Sequence, residues 1–179
     1  HYLLVFAILG ALVLRGLAPE MYEQRSDHAW QRWWGRAFVV GSVAAPLCIG
    51  MFAANWLVGA SATLTVPGIA GGVTVVALTV LDGAAYLRLK TRGDVRQDMR
   101  RVGLLALGAY LLLLAATLAF LWLAVPRVSA GLTSPLVLGL VVATGGLAAG
   151  YAIGIRRDRH YLTMAAAAGL VFAFVAVVA

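Results

Sequence analysis

The sequence predicts an all-α integral membrane protein built from about six transmembrane helices in an incomplete helical bundle, and three observations carry that expectation. Of its 179 residues 63% are hydrophobic and only 12% charged, with a mean hydropathy of +0.93, which lies outside the range of soluble domains. The apolar residues fall into runs of about 20, the length that crosses a hydrocarbon core of about 30 Å at 1.5 Å per residue. The 14 Lys and Arg stand almost entirely in the gaps between those runs. Anionic lipid is the ordinary counterpart of charges placed there, so the net charge of +7 implies a membrane surface and no nucleic acid.

Taken in order, the runs predict helices over 2–17, 37–59, 68–89, 102–125, 135–155 and 161–179, all within a single transmembrane domain over 1–179. The chain opens on His1 directly into an apolar run and stops inside V-F-A-F-V-A-V-V-A, so further helices are expected at both ends. The first helix ends on Arg15, whose stem can stay in lipid while its guanidinium reaches phosphate. Between the first two helices, Trp30, Trp33 and Trp34 alternate with Arg25, Arg32 and Arg36 and predict a short interfacial helix, because tryptophan favours the headgroup layer. Its role is either anchoring or contact with a quinone headgroup.

In the second helix Pro46 frees the carbonyl of Ser42, and a bend is expected there, with Gly41 and Gly50 letting a neighbour approach. The bend serves either packing or a ligand. In the fifth, Gly146, Gly150 and Gly154 make a smooth stripe at intervals of four, a pattern that lets helices pack closely. The fourth is apolar all round and has lipid on one side.

Short basic loops stay cytoplasmic. Arg15, Arg25, Arg32 and Arg36, then Arg88 to Arg101, then Arg156, Arg157 and Arg159 place 13 basic residues on one face, against Arg127 alone on the other. The three basic loops are therefore assigned to the cytoplasm.

Asp82 is the one acid embedded in an apolar run. It sits about 9 Å inward of Arg88, where a carboxylate costs about 2.5 to 3.5 kcal/mol and needs a partner. Tyr86 and Lys90 follow on the same helix face, so Asp82 either begins a proton or ion relay or is a structural carboxylate held by Tyr86 and a basic residue. Arg15 either snorkels to phosphate or pairs with Asp82 or Glu20. The lone Cys48 lies in an apolar run, which leaves no disulfide framework and no cysteine metal site. The histidines lie at loops or at the chain start, so no metal or haem ligand set is expected. No catalytic triad, carboxylate pair or nucleotide-binding loop is present either.

L-V-L-R-G-L-A-P-E, the Trp30 to Trp34 spacing, G-S-V-A-A-P-L-C-I-G followed by Asn55, and D-G-A-A-Y-L-R-L-K-T-R-G together resemble subunit II of the cytochrome bd quinol oxidases across roughly residues 8–122. The resemblance covers the third to eighth of that family's transmembrane helices. It implies a bacterial inner (plasma) membrane, and a heterodimer whose partner, subunit I, holds haem b, haem d and the quinol-binding loop. Subunit II would carry no cofactor or catalytic residue, support haem insertion, and contribute to proton or oxygen access. Arg15 falls at the arginine ending the family's third helix and Glu20 at the acid after it. Gly41, Pro46, Gly50 and Asn55 fall on the fourth-helix pattern, and Gly83 to Leu87 on the fifth. Gly35 and Asp82 depart from the pattern, which has an acid at the first and an uncharged or His side chain at the second.

The function expected is thus a subunit of a quinol:oxygen oxidoreductase without a reaction centre of its own. The rival readings are a small proton-coupled secondary transporter and a purely structural membrane scaffold.

Overall fold

The computed structural model describes residues 2–124 and 134–178, and all the regular structure among them is helical. Six helices follow in chain order: α1 (Tyr2–Glu23), α2 (His28–Leu57), α3 (Val66–Lys90), α4 (Asp94–Ala124), α5 (Pro135–Arg156) and α6 (His160–Val178). The first five are long and apolar enough to cross a membrane, and the apolar part of α6 is shorter. Arg127, the basic residue assigned to the opposite face, and Val125, the expected end of the fourth helix, lie outside the described residues.

Three helices reach beyond the expected apolar runs. α1 continues through Pro19 to Glu23. The tryptophan segment is no separate interfacial helix: Trp30, Trp33 and Trp34 form the opening turns of α2, which Asp27 caps by accepting a hydrogen bond from Ala29 N at 3.2 Å. An aspartate at that position satisfies an otherwise orphaned amide, so the helix starts in the polar layer, well before the apolar run. α4 likewise begins at Asp94, directly after Gly93 in the left-handed region at φ +74°. Hydropathy marks where lipid starts; caps mark where helix starts.

The chain forms two compact units, His1–Val76 and Ala77–Ala179, with α3 contributing to each. In a bilayer the apolar tails offer side chains as good a solvent as one another, so helices associate by close packing, and small residues decide where. In the first unit α1 buries Leu4, Ala11 and Ala18, seven apart, while α2 buries Ala37, Gly41 and Ala45, four apart. A Cβ on Gly41 would stand 2.9 Å from the Ala11 carbonyl and 3.0 Å from the Arg15 amide. Closer still is the approach of α2 to the start of α3: a Cβ on Gly50 would meet Gly72 Cα at 2.7 Å, and one on Gly72 would meet the Leu47 carbonyl at 2.7 Å. There the two backbones touch.

The second unit packs the latter part of α3 with α4, α5 and α6. Its core is Leu78, Leu81, Ala85, Leu107, Tyr110, Tyr151, Ile155 and Leu170 with alanines between them. Outward faces carry large apolar side chains such as Leu105, Leu112 and Phe172, as a surface facing hydrocarbon requires.

Candidate functional site

Polar side chains inside a membrane protein are costly, so each one that is buried marks a structural or chemical task. In the first unit they fall at the two ends of α2. At its start the Trp30 indole donates to the Met21 carbonyl at 2.6 Å, one of the four terminal carbonyls that α1 cannot satisfy internally. The Arg25 guanidinium lies 4.9 Å from the centre of the same ring, a cation–π contact. Trp34 meets Trp30 and Trp33 edge to face at 5.7 and 5.9 Å. Trp30 thereby closes the α1–α2 hairpin, and Trp33 stays exposed. A surface hollow of about 470 Å³ is lined by the three tryptophans with Asp27 and Ala29.

At the other end Asn55 is fully buried. Its amide donates to the Thr63 carbonyl at 2.9 Å, its side-chain oxygen accepts from the Thr65 hydroxyl, and Thr65 Oγ1 in turn accepts from Gly68 N at 2.9 Å. The Asn55 carbonyl accepts from Ala60 N at 3.0 Å. One side chain therefore fixes the turn from α2 to α3, including Gly59 at φ +64°. Gly68 is needed beside it, since a Cβ there would stand 2.6 Å from Asn55 Oδ1. α2 passes through Pro46 without interruption, and the hydroxyl of Ser42, one turn before, is buried with no hydrogen-bond partner.

The second unit holds the more unusual group. Arg88 is 1% exposed, on the same face of α3 as buried Leu81, Ala84 and Ala85. Its Nη2 donates to Asp158 Oδ1 at 3.0 Å and weakly to the Ile155 carbonyl at 3.5 Å. Asp158 lies in the α5–α6 turn with φ +52°, a left-handed conformation that aspartate tolerates better than most residues. Nearby, Arg96 at the start of α4 contacts His160 Nε2. Deeper in, the Tyr151 hydroxyl is buried, donates to the Leu81 carbonyl at 3.1 Å, and fits only because position 103 is glycine: a Cβ there would be 2.6 Å from it.

Of the residues expected to form a relay, Asp82 is half-buried with Oδ1 buried and unpartnered, while Tyr86 is half-exposed and Lys90 exposed. Asp82 acts electrostatically on Tyr151, a residue on α5 that sequence spacing could not bring to it. Arg15 and Glu20 are exposed in the first unit, and among the described residues the one ion pair is Arg88 with Asp158. On α5, Gly146 has open space where a Cβ would be, Gly150 has Ala166 Cβ at 3.9 Å, and Gly154 is tight against Thr163 Oγ1 at 2.6 Å.

Sequence reasoning passed over Arg88 as an interfacial arginine. Its spacing of seven from Leu81 and three from Ala85 was the signal that it shares the core face. Asp158, the lone acid within R-R-D-R, was the other.

Among the described residues no three His, Cys, Asp or Glu side chains converge as a metal site. His28 and His160 stand at helix starts.

The family model for cytochrome bd terminal oxidase subunit II matches this chain over residues 1–179. A search of curated proteins finds no match to it.

Proposed function

Because the chain belongs to the cytochrome bd terminal oxidase subunit II family, and so to a haem-containing oxidoreductase complex of the membrane, we propose that it is the companion subunit of a quinol:oxygen oxidoreductase that leaves the haems to its partner. The match along its whole length is the observation that carries this reading. The close-packed glycine contacts and the Asn55 turn support it, because they make a stiff surface on which a partner subunit can be held. Haem b and haem d belong to subunit I, as does quinol oxidation, and the protein resides in the bacterial inner membrane with its basic loops in the cytoplasm.

Its second contribution is to proton supply. Reduction of oxygen to water consumes protons, and a carboxyl that lies within an apolar span with an oxygen free of protein partners is chemically suited to take one up and pass it on. Asp82 is that group, with Oδ1 buried and unpartnered. Its neighbour in this role is Tyr151, whose hydroxyl donates to the carbonyl of Leu81, the residue before Asp82, in preference to exposed Tyr86. Arg15 and Glu20 act at the membrane surface, and Trp30, Trp33 and Trp34 anchor the hairpin in the headgroup layer.

The test is co-purification. The complete subunit, tagged and expressed together with the haem-bearing subunit, retrieves a coloured complex that consumes oxygen with quinol. A tag that retrieves this polypeptide free of any haem protein, from membranes that contain one, contradicts the proposal.

A further inference from the structure

At the end of the second unit where α3 stops, α4 starts and α5 turns into α6, donor atoms are buried without acceptors. Arg88 Nε, Arg88 Nη1, Arg96 Nε and His160 Nδ1 are all buried and all lack a hydrogen-bond partner. The Arg96 guanidinium can only donate, so His160 Nε2, which it contacts, is the acceptor. The imidazole proton then sits on Nδ1, and that atom is a donor too.

The groups form one electrostatic neighbourhood. Arg96, Arg100 and Asp158 all act on Arg88, and Arg88, Arg96 and Asp158 act on His160. Asp158 is the one carboxylate among the groups that act on Arg88 and His160, set against the guanidiniums of Arg88, Arg96 and Arg100. Asp158 engages only Arg88 Nη2, and its own side chain is 71% exposed. Buried cationic donors are retained where something accepts from them, and an acceptor that meets a planar guanidinium with several oxygens is a phosphate or a similar oxyanion.

We propose that Arg88, Arg96 and His160 form a binding site for a phosphate-type anion at the cytoplasmic edge of this subunit, with Arg100 adding charge and Asp158 as the built-in competitor at its mouth. The anion is either the headgroup of an acidic phospholipid or free phosphate, since both present the same oxygens. The side assignment rests on the reading above; the binding chemistry does not.

The test uses the complete purified oxidase complex, with phosphatidylglycerol and inorganic phosphate as probes. Native mass spectrometry from bilayer discs of phosphatidylethanolamine and phosphatidylglycerol counts retained acidic lipid, and thermal unfolding in detergent follows a phosphate titration. Arg96→Gln, at a part-exposed position, weakens binding by at least about tenfold, and Asp158→Asn strengthens it, because the competing carboxylate is gone. Retained phosphatidylglycerol with no response to phosphate identifies the lipid source. A phosphate-dependent rise in unfolding temperature without retained lipid identifies the free anion. If neither probe binds, or if both variants bind as the wild type does, the site does not exist. A failure of the complex to contain haem would refute the oxidase reading instead and leaves this readout independent of it.

Discussion

The contact between α2 and α3 makes the sharpest prediction about this chain. Replacing Gly50 by alanine places a Cβ 2.7 Å from Gly72 Cα, while ordinary van der Waals contact begins at 3.4 Å. The Gly71 carbonyl oxygen stands closer still, so the backbones must separate by at least about 0.7 Å, and these nearest atoms are backbone, which cannot swing aside as a side chain would. Overpacking of that kind costs about 1 to 3 kcal/mol, against which alanine regains up to about 1 kcal/mol of helix propensity. The net expectation is a loss of up to about 2 kcal/mol. Gly10 in α1 is the control, because nothing lies within 4 Å of its Cβ position, so Gly10→Ala is neutral or slightly stabilising. The assay is reversible denaturant unfolding of the complete subunit in mixed micelles, followed by tryptophan fluorescence. Equal midpoints for the two variants would refute the claim that backbone contact at Gly50 holds α2 against α3.

Other outcomes follow from the same packing. Asn55→Ala leaves the Thr63 carbonyl and the Thr65 hydroxyl without their partner and costs about 1 to 3 kcal/mol, visible as faster proteolysis between residues 58 and 65. Trp30→Phe keeps a ring beneath Arg25 but loses the donor to the Met21 carbonyl, and destabilises by about 1 kcal/mol in the same unfolding assay. Asp158→Asn removes the charge that meets Arg88. The pair is buried on one side only, so the loss is about 1 to 3 kcal/mol, below that of a fully buried pair. Asp82→Asn in the assembled oxidase slows oxygen consumption while the haem spectrum is retained, and unchanged turnover would make Asp82 a structural residue.

Much of the fold was legible because hydrocarbon is a severe solvent. A run of apolar residues with arginines at its ends has few alternatives to a spanning helix, and the runs marked the six helices in order. Their polar ends were less legible, because hydropathy falls where lipid ends while hydrogen bonding continues: Asp27 caps α2 ten residues before the apolar run expected at Ala37, and α4 starts at Asp94. The tight contact at Gly50 was half visible. Its partner, the Gly71–Gly72 pair inside V-P-G-I-A-G-G-V, reads from composition as a weak helix, and only the neighbouring backbone shows why those residues carry no side chain. The stripe of Gly146, Gly150 and Gly154 shows the converse, since equal spacing on one helix says nothing about where a neighbour runs, and only Gly154 meets one closely. Arg88 illustrates the same limit for charge. Two residues from the end of its helix, it looked free to reach the surface, yet its side chain stays inside, because Asp158 comes from a turn 70 positions later.

The most direct measurement of the companion-subunit account is the optical spectrum of the complete polypeptide purified from cells that lack the haem-bearing subunit. The account predicts a folded, colourless membrane protein, with haem absorbance returning only when the partner is expressed beside it. Haem bound in stoichiometric amount to this polypeptide alone would contradict it.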